Sequence, residues 1–295
     1  MEQIGDKIRA LILEIQAHQP NLSALNNSQE KKDSSKTERY TILTAPSEGC
    51  PYGECDGSGL ITVVDNQKGE VFVRMCQCHE IRVIESKLKF ACIPDEFKDL
   101  TVASFRVDLY KHEDSRARAA LAKRIAVNFV KHFERMQEKG KGLYFYSDTK
   151  GSGKTRLAAS IGNALIKQYR VSVRFITTKA LLDEIKSTFH EETGLTYSSV
   201  IEAIKQVDVL ILDDIGTENK TGWVNETFFN IMDSRMTAHK ITIFTSNTPI
   251  EGLKHDEKIR SRINKMAMPV AMPEESIRDA LAQKENEELQ ALLYR

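Results

Sequence analysis

Neither sign of charge is in surplus: 42 lysines and arginines offset 42 aspartates and glutamates, for a formal net charge of zero. A protein that drew most of its affinity from neutralising phosphates would be basic overall, so any nucleic-acid contact is confined to local, salt-sensitive patches. The basic positions available for one are Arg116, Arg118, Lys123 and Arg124, and further on Lys254, Lys258, Arg260 and Lys265. Such residues are ordinarily a solvated helix face. No apolar run reaches the length of a membrane span. Acidic residues near the start, Glu2, Asp6 and Glu14, speak against a secretory signal, so the expected location is cytoplasmic, with no membrane contact. No repeat of fixed period occurs. A chain of 295 residues has room for one full α/β domain and a small appended one.

What is present is concentrated at 143–158, LYFYSDTKGSGKTRLA. An apolar, aromatic run of strand length leads into a glycine-rich turn, and Leu157, Ala158, Ile161, Leu165 and Ile166 then recur at helical spacing. This is a P-loop. Gly151 and Gly153 let backbone N–H groups close on phosphate oxygens, Lys154 reaches the β and γ phosphates, and Thr155 can ligate Mg²⁺. The expected ATP-binding set is Lys150, Gly151, Ser152, Gly153, Lys154, Thr155 and Arg156. The full G-x-x-x-x-G-K-[ST] spacing calls for glycine at 148, where this chain has Asp148. Aspartate tolerates a left-handed backbone, so the turn can survive. Its charge beside a triphosphate is less favourable.

Downstream, VDVLIL at 207–212 is a continuous apolar run of the kind a strand buried on both faces needs, and it ends in Asp213 and Asp214. In register with a P-loop this is a Walker B pattern: Asp213 holds the Mg²⁺ shell, and Asp214 orients or deprotonates the attacking water. A further run, ITIFTS at 241–246, ends in Asn247, whose amide can hydrogen-bond that water or the γ-phosphate. Strands are expected near 142–147, 171–176, 207–213, 240–246 and 267–272, with helical stretches between them, at 115–138 and at 274–293. Such alternation builds a parallel sheet covered by helices on both faces.

P-loop, paired acids after a buried strand and a strand ending in T-S-N, in this order, resemble an AAA+ ATPase. More narrowly the chain resembles helicase loaders of the DnaC and DnaI type, with transposase-helper ATPases of the IstB type as close relatives. The likeness spans roughly 91–295 and includes FITTKALLDEIK at 175–186. It implies an α/β AAA+ P-loop NTPase with a minimal lid. By that likeness DEKIRSRI at 256–263 matches the arginine-finger box, making Arg262 the arginine that reaches a neighbouring subunit's ATP. Arg278 matches the second sensor, which touches phosphate in cis. A delocalised guanidinium fork suits charge developing on a transferring phosphoryl.

Cys50, Cys55, Cys76 and Cys78 are spaced C-x₄-C, twenty intervening residues, then C-x-C, with His79 immediately after. Two thiolate pairs separated by a hairpin can supply the four ligands of a zinc ion, and GLITVVDNQKGEVFVRM between them alternates around 66–69 as a hairpin should. Disulfides are the rival, disfavoured without a signal to an oxidising compartment. His79 is an alternative ligand. Cys92 is expected to be a buried apolar residue. Ahead of this module, Ile4, Ile8, Leu11, Ile12 and Ile15 mark one face of a helix within 1–18, and 26–39 reads as a polar linker. The helix packs on its own zinc module or docks a partner protein. The expected domains are 1–45, helix and linker; 46–90, cysteine-rich zinc-binding module; and 91–295, AAA+ ATPase domain.

The leading expectation is an ATPase that loads a hexameric replicative helicase onto single-stranded DNA, using ATP, Mg²⁺ and Zn²⁺ and forming an ATP-dependent homo-oligomer. A transposase-helper ATPase acting on duplex DNA and a non-hydrolysing nucleotide-dependent adaptor are the alternatives.

Overall fold

A computed structural model describes residues 39–188, 197–219 and 221–294. The helix expected within 1–18, and the linker as far as residue 38, lie outside the described residues. The described residues divide into two compact units, one of 39–45 with 61–74 and the other of 46–60 with the residues from 75 on.

In the first unit β1 (Tyr40–Ile42), β2 (Leu60–Asp65) and β3 (Glu70–Met75) form a sheet in that order, with β1 antiparallel to β2. The expected hairpin turn falls at 66–69. Asp65 fixes it by accepting the backbone N–H groups of Gln67 (3.0 Å) and Lys68 (3.3 Å), and Gly69 takes the left-handed φ of 70° that lets the chain reverse. All of β3 is exposed, Val71, Phe72 and Val73 included.

The second unit is built on strands whose sequences cannot be solvated. Val209–Asp213 and Ile241–Ser246 are buried at every position, which only a helix-covered parallel sheet allows. With β4 (Gly142–Tyr146), β5 (Val173–Thr177), β6 (Val209–Asp213), β7 (Ile241–Ser246) and β8 (Ala267–Ala271), the order is β5-β6-β7-β4-β8 and each neighbouring pair runs parallel. The helices are α1 (His79–Ala91), α2 (Glu113–Lys131), α3 (Phe133–Glu138), α4 (Lys154–Tyr169), α5 (Thr178–Ser187), α6 (Tyr197–Gln206), α7 (Gly222–Thr237), α8 (Glu257–Met266) and α9 (Arg278–Leu293). The helix expected over 115–138 is interrupted at His132, whose φ of −110° and ψ of 28° end α2 and begin α3. After β8 the described residues continue into α9.

Two buried polar clusters brace this unit. Arg235 on α7 is fully buried, and it donates to Thr242 Oγ1 (3.0 Å) and to the carbonyls of Ile204 (2.7 Å), Val207 (2.9 Å) and Ile241 (2.5 Å). Burial pulls its pKa down to about 9. Glu218 and His255 meet at 2.5 Å with both side chains 4% exposed. Burial alone would raise the Glu218 carboxyl, but His255 and the amide of Gly216 hold it below the usual carboxylate range. A glutamate with a depressed native pKa adds stability that is present above its ordinary value of about 4.3 and disappears as pH falls through the native one. Glu218→Gln is therefore expected to destabilise the unit by ~3 kcal/mol at neutral pH and to flatten the acid limb below about pH 4. Urea melts across pH report both, and superimposable acid limbs would show that the pair contributes nothing.

Candidate nucleotide site and cysteine cluster

The phosphate-binding loop leaves β4 and enters α4. Gly151 and Gly153 have φ values of 77° and 90°, in the region that excludes most side chains. At Gly153 a Cβ would also lie 3.0 Å from both Phe105 and the Tyr110 hydroxyl, and at Gly151 it would lie 2.6 Å from Ser276 Oγ. Asp148 is absent from the left-handed residues, so this turn does not use the tolerance that aspartate offers there. The loop start is instead held by Glu274, whose carboxylate accepts from the backbone N–H groups of Asp148 (3.3 Å) and Thr149 (3.0 Å) and from Ser147 Oγ (3.0 Å). Against the upward push of burial, the bonds from Ser147 and Thr149 keep Glu274 below the ordinary carboxylate range.

Lys154 is buried and donates to the carbonyls of Ser147 (3.1 Å) and Thr149 (2.9 Å) and to Ser152 Oγ (3.3 Å). Burial lowers its pKa, although Asp214 and Glu274 pull it the other way. Thr155 Oγ1 donates to Asp213 Oδ1 at 2.9 Å, and Thr245 Oγ1 donates to the same oxygen at 2.6 Å. Burial pushes the Asp213 carboxyl up, with the two threonine bonds opposing it. A buried carboxylate beside a threonine hydroxyl is a hard-oxygen donor pair whose unmet charge a divalent cation would balance, so these residues fit Mg²⁺.

Strand order explains the convergence. β7 lies between β4 and β6, pairing Tyr146 with Ser246 on one side and Leu212 with Phe244 on the other. Its carboxyl end therefore sits between the loop and the paired acids, and half-buried Asn247 follows directly. Asp214 has a left-handed φ of 57° and donates its N–H to Thr245 Oγ1 at 3.0 Å. That conformation turns the chain sharply at the end of β6.

Arg278 begins α9 against the loop: a Cβ at Gly151 would lie 3.0 Å from the Arg278 Cβ, and the Ile277 N–H donates to the Gly151 carbonyl at 3.1 Å. Lys150 is exposed. Arg156 donates to the Ser104 carbonyl at 2.9 Å. Arg262 is not brought to this loop by any bond among the described residues. On α8 its guanidinium binds Asp233 Oδ1 through Nε (2.8 Å) and Nη2 (2.7 Å) and lies 4.0 Å from the Phe229 ring centroid.

A family model for the bacterial DnaA ATPase domain matches residues 116–268. The chain belongs to this family. Within it the chain is of the DnaC/DnaI type, with an AAA+ nucleotide-binding ATPase fold. The replicative helicase loader DnaI of Bacillus subtilis is 35% identical over 119 residues, which are 40% of this chain and 36% of that protein. The replicative helicase loader DnaC of Buchnera aphidicola subsp. Baizongia pistaciae is 30% identical over 49% of this chain and 55% of that protein. The chain thus spans about half or less of these relatives' lengths. A crystal structure of DnaI is 32% identical and superposes with a TM-score of 0.50, covering 61% of this chain and 94% of that one.

Several residues of this DnaA-type domain's site escape sequence reasoning. Thr245 reads as one more residue of a buried strand. Glu274 and Glu275 read as a helix start, yet Glu275 accepts the backbone N–H groups of Lys111 (2.7 Å) and His112 (3.2 Å) while Glu274 holds the loop. Tyr110, buried, donates to the Ser152 carbonyl at 2.8 Å. Two of the residues assigned to a basic face serve this same segment: Arg116 donates to the carbonyls of Tyr110 (3.2 Å) and Lys111 (2.7 Å), and Lys123 to those of Ala103 and Phe105 (both 2.7 Å). The one signal available was the aromatic pair Phe105 and Tyr110 ahead of a P-loop.

Away from the loop, the sulfurs of Cys50, Cys55, Cys76 and Cys78 are buried and lie within 4.8 Å of one another. Cys50 and Cys76 are 3.6 Å apart, and Cys55 and Cys78 3.4 Å. Tetrahedral thiolates at a Zn–S distance of ~2.3 Å stand about 3.8 Å apart, so the cluster fits zinc with little adjustment. Burial raises the Cys50 thiol, but backbone amides of Glu54, Cys55 and Tyr52 outweigh it and bring the pKa down to about 6, whereas Cys76 and Cys78 are pushed up by burial and by the thiols crowded beside them. The four thiols complete a ligand set without His79, which is half-buried. Cys92 is exposed, not buried as its sequence neighbour Ile93 suggested. It caps α1 with a left-handed φ of 52°, which turns its side chain outward to within 2.7 Å of Arg174.

Proposed function

We propose that this chain is an ATP-dependent loader of a hexameric replicative helicase onto single-stranded DNA, acting in the cytoplasm as an ATP-dependent homo-oligomer. The observation that carries this reading is the convergence of Lys154, Thr155, Asp213 and Thr245 at one loop in a chain of the DnaC/DnaI type. Residues 151–155 would cradle the phosphates, and Arg278 would contact them from its place against Gly151. Thr155 and Asp213 would hold Mg²⁺, which neutralises charge on the phosphates when bound. Asp214 would orient the attacking water, with Asn247 hydrogen-bonded to it. Arg262, tied to Asp233 rather than to its own loop, would serve a neighbour's site. ATP state would shift affinity for helicase and DNA by favouring one assembly over another.

Capture on an immobilised hexameric helicase in the presence of ATP tests the reading, with turnover measured alongside. A helicase complex and a change in turnover on adding single-stranded DNA are expected. No complex and no change would overturn it. Preference for duplex DNA with filament formation would instead indicate a transposase helper, and hydrolysis no faster than that of Lys154→Ala an adaptor.

A further inference from the structure

At the end of the sheet opposite the phosphate loop, where β4 and β8 begin, α2, α3 and α8 enclose a cavity of about 750 Å³. Its apolar surface comes from Ile125, Phe129, Leu143 and Met268. The charged side chains at its edge are of one sign: Arg135, Lys139 and Lys141 line it beside His132 and two asparagines, with no aspartate or glutamate among the lining residues. Neither Arg135 nor Lys139 has a carboxylate partner among the described residues. The chain is neutral overall, so a wall this one-sided selects an occupant that is acidic and apolar together.

The chain carries such a segment. The end of α9 exposes Leu289 (52%), Leu292 (70%), Leu293 (79%) and Tyr294 (85%), preceded by exposed Glu285 and Glu287. Leu289, Leu292 and Leu293 are three and four residues apart and share one helix face. A helix showing its leucines to water is marginal without a surface to cover them.

We propose that the cavity receives the acidic, leucine-bearing end of α9 from a second copy of this chain. The two surfaces are complementary in charge and in apolar content. Both border the elements that a neighbour-supplied Arg262 would bring together. Asn264, which lines the cavity, lies on the same short helix α8 as Arg262, on a different face, while α9 starts against the P-loop at Gly151. When Arg262 of one copy reaches the loop of the next, that neighbour's α9 leaves the same interface, and residues 285–294 lie about 10 to 24 Å along it. The contact is heterologous, tail to cavity, and so propagates into a ring or a helix. It goes beyond the loader reading and shares with it only the neighbour-supplied Arg262.

Full-length protein carrying a benzophenone side chain in place of Tyr294, mixed with isotopically heavy unsubstituted protein and irradiated with ATP, tests the docking. The expected products join the light 294 peptide to heavy peptides containing Met136 or Met268. Arg135→Glu with Lys139→Glu is expected to cut that yield about tenfold, and Glu285→Lys with Glu287→Lys in the other copy to restore it. Crosslinks confined to one chain, crosslinks mapping elsewhere, or a yield indifferent to charge reversal would overturn the proposal. So would protection of Lys139 and Lys141 from acetylation by single-stranded DNA in the absence of the crosslink, which would give the cavity to nucleic acid. A crosslink that forms although helicase capture fails would remove the loader reading alone.

Discussion

Replacing Arg262 by alanine is expected to slow ATP hydrolysis by ~10³ to 10⁵ while leaving nucleotide affinity nearly unchanged. The reason lies in where the side chain is held. Its guanidinium is fixed by Asp233 at 2.7 and 2.8 Å and stacked on Phe229, so it is pre-oriented without contributing to its own loop. An arginine that acts across an interface is supplied by one copy and used by another. Mixing Arg262→Ala protein with Lys154→Ala protein therefore pairs intact loops with intact fingers, and turnover should recover far above that of either alone. Arg262→Lys should recover little, because an ammonium lacks the planar fork. Absence of recovery on mixing, with a lowered melting temperature for Arg262→Ala, would make Arg262 a brace for α7 and α8 and nothing more.

Stripping metal is expected to have the second large effect. Structural zinc sites contribute ~10–16 kcal/mol of apparent binding free energy in small domains, and here that energy would tie two cysteine turns together. The turns are not an isolated appendage. Cys78 caps α1, which buries Ile81 and Ile84, and Glu80 on that helix pairs with Arg170 at 2.7 Å at the end of α4, the helix that begins with Lys154. Prolonged exposure to a strong chelator, or Cys55→Ser with Cys78→Ser, should therefore lower the melting temperature and loosen α1 from α4 as read by hydrogen exchange. Elemental analysis should find a single zinc per chain, and cobalt substitution should give the absorption of a tetrathiolate site. Protein that carries no metal and melts unchanged in chelator would exclude the site.

Much of this architecture is local, and local features are legible. GSGKT, the strand runs ending in Asp213 and Ser246, and the cysteine spacings each declare themselves through a few consecutive residues or a period of two or 3.6. Five expected strands appear within about two residues of their places. Errors arise where the backbone conformation at one residue departs from the periodicity around it. Cys92 faces solvent because α1 ends there in a left-handed turn, which hydropathy does not encode. The helix over 115–138 breaks at His132 although its periodicity continues.

The sequence by itself determined that a P-loop, a buried strand ending in paired acids and a four-cysteine cluster exist, because each is written in contiguous residue types with one physical use. Only the tertiary structure decided what surrounds them. The order β5-β6-β7-β4-β8 inserts β7 between loop and acids and so delivers Thr245 to Asp213. The return of the chain after β8 places Glu274 and Arg278 on the loop, and closing 101–112 over it turns Arg116 and Lys123 from surface charge into struts. Strand order and chain return are set by which apolar faces bury best together, a sum over the whole core that no short window of sequence contains.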